Sequence, residues 1–77
     1  MDEKQVSHSI ASMKNEKAKI VGAAIRLARK GRKLPMRAIA EHLKIDTAAV
    51  NNWELGRNMP STENLLKTAD FLGVDAS

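Results

Sequence analysis

Met36–Leu55, MRAIAEHLKIDTAAVNNWEL, divides into two short amphipathic runs around the tripeptide Lys44-Ile45-Asp46. In the first run Met36, Ile39, Ala40 and Leu43 repeat at i, i+3, i+4 and i+7, the spacing of one helix face. Pro35 suits the first turn of that helix, where an amide hydrogen has no partner in any case. Asp46 opens the second run as an N-cap whose carboxylate can accept from the amides of Ala48 or Ala49. That helix is expected over Thr47–Leu55, with Gly56 ending it. At about 100° per residue, Thr47, Asn51, Leu55, Ala48 and Asn52 share an arc of roughly 140°, and Ala49, Trp53, Asp46 and Val50 take the opposite side. Ile39, Ala40, Leu43, Ile45, Val50 and Trp53 therefore make the seam between the two helices, with Ala40 small where they cross. Thr47, Ala48, Asn51 and Asn52 are left facing outward.

The flanking sequence completes an all-helical domain. A first helix is expected from about Lys17 to Arg32, its apolar stripe made by Ile20, Ala24, Leu27 and Ala28 with Val21 and Ile25 alongside. Arg26, Arg29, Lys30, Arg32 and Lys33 load its last turn and exit with positive charge, which suits a helix C-terminus. Gly31 and Pro35 require it to stop there. After the loop Gly56-Arg57-Asn58-Met59-Pro60, Ser61 is the N-cap of a last helix over about Thr62–Leu72, with Leu65, Leu66, Ala69 and Leu72 inward. Gly73-Val74 reads as a Schellman ending. Ahead of all this, residues 1–16 are polar. Val6, Ile10 and Met13 at i, i+4 and i+7 leave two readings open, a short extra helix or a disordered arm. The expected fold is all-α, compact, with four to five helices, and with residues 17–77 as the domain proper.

Composition narrows the function. The chain has 77 residues, no cysteine and a net charge of +4. A single small domain follows, with neither a disulfide framework nor a thiolate metal site, as in a reducing compartment such as the cytoplasm. Its apolar runs are far too short for a membrane span, and the N-terminus MDEKQVSHSI has no signal-peptide core. From Lys14 to Lys44 there are ten Lys/Arg against two Glu, a local +8, whereas Ile45–Ser77 carries two basic against five acidic residues, a local −3. A basic half on a helical domain implies a polyanionic partner, with a solvated, solubilising surface as the plainer alternative. His8 and His42 are 34 residues apart with no acidic cluster beside either, and no glycine-rich phosphate loop occurs. No enzymatic activity, metal, cofactor or small-molecule ligand is expected.

From about Ile20 to Val74 the chain resembles the Cro/lambda-repressor type of helix-turn-helix domain, also called the xenobiotic-response-element type. The resemblance rests on the basic end of the first helix, on the helix pair of Met36–Leu55, and on the segment WELGRNMPSTENLLKTADFLGV. It implies double-stranded DNA as the partner, with the second helix of the pair in the major groove and its first turn nearest the bases. Carried over by position, Thr47, Ala48, Asn51 and Asn52 are the base-contact residues. Asn can pair bidentately with adenine and the Thr47 and Ala48 methyls can touch thymine, so a preference for A·T pairs in part of each half-site is expected. Arg37, Lys44, Arg57 and Asn58 are the implied phosphate contacts, with Lys30, Arg32 or Lys33 as further candidates. Glu54 is implied to pair with Arg29 and to touch no DNA. Trp53, on the inward arc, reads as a core residue, with a base-stacking platform as the alternative. Three positions depart from the family pattern: Met36 stands for the usual Gln, Lys44 for Gly and Leu55 for Asn.

The resemblance further implies a repressor of the phage or prophage type, a homodimer, weak or DNA-induced, on a palindromic operator. The rival is an antitoxin- or adaptor-type module that binds another protein through the same fold, with Val6, Ile10 and Met13 as its place of contact. A basic helix on an anionic membrane would describe the first helix alone and leaves the shared core of the others unexplained.

Overall fold

The computed structural model describes the backbone of residues 3–74 and the side chains of residues 16–74. Four helices make up the described chain: α1 (Glu3–Gly31), α2 (Met36–Leu43), α3 (Thr47–Glu54) and α4 (Thr62–Leu72). Helix α1 begins well before the expected Lys17. No glycine or proline interrupts residues 3–21, so nothing local stops the helix at the boundary suggested by the change in polarity. The side chains of Val6, Ile10 and Met13 lie outside the described residues.

Each helix ends the same way, with a left-handed residue and a Schellman pair of hydrogen bonds. At α2, Lys44 has φ 59° and ψ 46°, its N–H donates to the Glu41 carbonyl and the Ile45 N–H to the Ala40 carbonyl. At α3 the left-handed residue is Gly56 (φ 74°), and at α4 it is Gly73 (φ 73°). Helix α1 uses Lys33 (φ 57°), with the Lys33 and Leu34 amides donating to the carbonyls of Lys30 and Arg29. The helix closes at Gly31, within one residue of the expected end at about Arg32, and Gly31 itself is still helical. Only the register of the two capping bonds selects the residue that turns left-handed, and it falls two positions later. The N-termini follow the sequence reading: Asp46 accepts from the Ala48 amide at 2.9 Å and Ser61 from the Asn64 amide at 3.2 Å. Pro35 precedes α2 as its N-cap with extended backbone (φ −77°, ψ 159°), one position before the expected first turn.

The core gathers Ile25, Ile39, Ala40, Val50, Trp53 and Leu72, and Leu34, Met36, Leu43, Ile45 and Leu65 pack partly buried against it. Trp53 is 6 % exposed, which settles it as a core side chain rather than a stacking platform. Phe71 of α4 and His42 of α2 stack with ring centroids 4.3 Å apart, tying these helices together at the edge of the core.

Two apolar stripes are rotated from their expected positions. Ala18, Ile25 and Gly22 are buried on α1, whereas Ile20 (68 %) and Leu27 (74 %) are exposed, and so is Ala24. The cause is Gly22. A Cβ there would lie 1.9 Å from the Trp53 carbonyl oxygen, so α1 meets the C-terminal end of α3 backbone to backbone. That approach turns the small-residue strip of α1 inward and carries Ile20 and Leu27 to the far side of the helix. On α4, Leu66 is 53 % exposed and Thr68 is buried in its stead.

Candidate nucleic-acid interface

Helix α3 is held from behind by three interactions. Val50 (0 % exposed) and Trp53 enter the core, and the Asp46 side chain closes the N-terminus. At the other end Arg29 of α1 grips Glu54 with two hydrogen bonds, Nε to Oε2 at 2.6 Å and Nη2 to Oε1 at 2.8 Å. The same guanidinium donates from Nη1 to the Leu34 carbonyl at 2.8 Å. One arginine thus joins α1, the turn into α2 and the end of α3. Both side chains are largely withdrawn from solvent, 11 % and 5 % exposed. The hydrogen bonds to Glu54 push the pKa of Arg29 above its ordinary value despite the opposing effect of burial. The bidentate geometry of an Arg–carboxylate pair restricts orientation as well as distance, so Glu54 sets the direction of α3 and is spent in doing so.

With its back anchored, α3 turns Thr47, Ala48, Asn51 and Asn52 outward. Ala48 is exposed and the other three are half-buried. They share one side of a short helix whose other side is the core, which is the arrangement needed to present amides and methyls to base edges. Of the implied phosphate contacts, Arg37 at the start of α2, Lys44 in the turn before α3 and Arg57-Asn58 after it are all exposed. Arg37 has a loose contact with Glu41 at 3.7 Å, both side chains about three-quarters exposed, which leaves the guanidinium in water.

Two basic residues change standing. Arg32, one of the further phosphate candidates, donates from Nη1 to the Leu72 carbonyl at 3.1 Å and caps the end of α4. Lys19, which the sequence did not single out, lies across Gly56: a Cβ on that glycine would meet Lys19 Cγ at 2.6 Å. This packing sets Lys19, an exposed residue of α1, against the residue that precedes Arg57, 37 positions away in the chain. No local signal could have revealed it, because the proximity depends on the Gly22 crossing. Lys19, Arg26 and Lys30 follow one another at helical spacing along an exposed flank of α1.

Among the described residues, no helix is long and apolar enough to cross a membrane. Residues 22–77 match the model of a family described as a helix-turn-helix domain. No curated protein and no solved structure matches the chain. The match spans α3 with its neighbours and most of the sequence, and the chain belongs to the helix-turn-helix family.

Proposed function

We propose that this helix-turn-helix chain is a sequence-specific DNA-binding protein of the Cro/lambda-repressor type, acting as a transcriptional repressor. It binds a palindromic operator as a two-fold pair, with α3 in the major groove of each half-site. Thr47, Ala48, Asn51 and Asn52 read base edges. Arg37, Lys44, Arg57 and Asn58, joined by Lys19, hold phosphates and set the register. Repression follows from occlusion of the promoter.

The observation that carries this reading is the locking of α3. The Arg29–Glu54 pair and the buried Val50 and Trp53 fix the helix from behind, while its polar arc stays open and is bordered by exposed cations. A helix held this firmly can dock with a defined angle, and docking angle is what turns side-chain identity into base preference.

The test is selection from random duplex DNA, followed by titration of the selected duplex across salt concentration. A palindromic consensus, A·T-rich at part of each half-site, with affinity falling steeply with salt, is the expected result. Absence of any enriched sequence, with weak salt-sensitive binding alone, overturns sequence-specific operator recognition.

A further inference from the structure

The exposed apolar stripe of α1 is not consumed by the fold or by the DNA-facing surface. Ile20 and Leu27 are 68 % and 74 % exposed, and Ala24 between them lies on the lip of a groove of about 180 Å³ between α1 and α4, walled by Ala28, Leu72 and Val74. In sequence the stripe runs Val6, Ile10, Met13, Lys17, Ile20, Ala24, Leu27, with successive spacings of 4, 3, 4, 3, 4 and 3. A globular amphipathic helix has a broad apolar face, and α1 already has one in Ala18, Val21, Gly22, Ile25 and Ala28. The narrow second line, with its heptad spacing, is the pattern of a coiled-coil seam.

We propose that this seam pairs with the same seam of a second copy of the chain, α1 against α1, in an isologous two-fold contact. A heptad line needs a partner helix carrying the same spacing, and α1 is itself such a helix, 29 residues and so roughly 43 Å long. The stripe lies across α1 from Gly22 and Arg29, which touch α3, so pairing there leaves both recognition helices uncovered. Lys17 is the one charged residue on the line, at an inner heptad position. A buried lysine there weakens the pair and narrows its register, consistent with the weak dimer a DNA-assisted binder uses. The inference names the surface for the two-fold reading proposed above. It rests on that reading for its link to an operator, and the seam itself is testable without DNA.

The experiment is sedimentation equilibrium of the whole chain from micromolar to millimolar concentration, alongside two variants. The Ile20→Glu/Leu27→Glu chain is expected to be monomeric at all concentrations, with the melting temperature of the dilute monomer unchanged because both side chains are exposed. The Lys17→Leu chain is expected to dimerise at least about tenfold more tightly than the natural chain. A dimer that survives Ile20→Glu/Leu27→Glu overturns the proposal, as does a monomer that persists in both the natural and the Lys17→Leu chain. The latter outcome assigns the stripe to another protein. Binding of each chain to a half-site and to a full site separates this from the DNA reading. Half-site affinity retained by the charged variant, with loss of cooperative full-site binding, supports the seam. A chain that dimerises through the stripe and binds no DNA leaves the seam standing and removes the function proposed above.

Discussion

At the scale of single residues, the Arg29–Glu54 pair shows how a charge can serve geometry rather than contact. Its partners are 25 positions apart and nearly buried, and each satisfies the other. Glu54→Ala strands a guanidinium in a site built to neutralise it, and the expected cost is about 3 kcal/mol, read as a lower urea midpoint. The double change Arg29→Met/Glu54→Leu is expected to restore much of that loss, because no unpaired charge remains, while loosening the orientation of α3. Thr68 is the converse case. It is 1 % exposed and its hydroxyl finds no hydrogen-bond partner among the described residues. Thr68→Val removes the unpartnered group at constant shape, so stability should hold or rise by up to about 1 kcal/mol in the same denaturation assay. Neither residue was equally legible beforehand. The Glu54 pairing followed from family resemblance, whereas Thr68 sits in a leucine-rich helix where Leu66 looked the better core residue.

At the scale of elements, the four Schellman endings divide into two glycines and two lysines. A lysine in the left-handed region carries a backbone cost of about 1 kcal/mol that glycine avoids. Lys33→Gly and Lys44→Gly are each expected to raise stability by roughly 0.5–1 kcal/mol, after allowance for the greater freedom of glycine in the unfolded chain. If Lys44 also holds a phosphate, its two effects have opposite signs. Lys44→Gly then stabilises the fold while weakening all DNA sequences alike and lowering the salt slope by about one unit. Denaturation and a salt titration on the same variant separate the two. The helix limits themselves were readable wherever a cap residue marks them, at Asp46, Ser61, Gly56 and Gly73. The start of α1 was misread, where composition alone was the guide, because polarity bears on stability without fixing which backbone bonds form.

At the scale of the whole molecule, α1 divides its surface three ways: a core face, a cationic flank that packs Lys19 on Gly56, and an uncovered apolar line of Ile20, Ala24 and Leu27. Recognition and positioning should therefore separate in mutants. Asn51→Ala is expected to lose roughly 1–3 kcal/mol on the selected operator and to relax preference at one base position. Arg57→Ala should weaken selected and random duplexes equally and lower the salt slope by about one unit. Competition binding with both duplexes at several salt concentrations distinguishes these outcomes, and unchanged selectivity in Asn51→Ala would remove it as a reader. The sequence by itself determined the helix pair, its cap at Asp46, the seam of Ile39, Ala40, Val50 and Trp53, and the outward arc of α3. Each of these depends on spacing within a few turns of one chain segment. Tertiary structure alone decided which face of α1 is buried, what Arg32 and Lys19 do, and that Ile20 and Leu27 remain uncovered. The buried face of α1 and the packing of Lys19 follow from one close backbone crossing at Gly22, and the role of Arg32 from the place of the α4 C-terminus, contacts between segments thirty to forty positions apart that no local periodicity records.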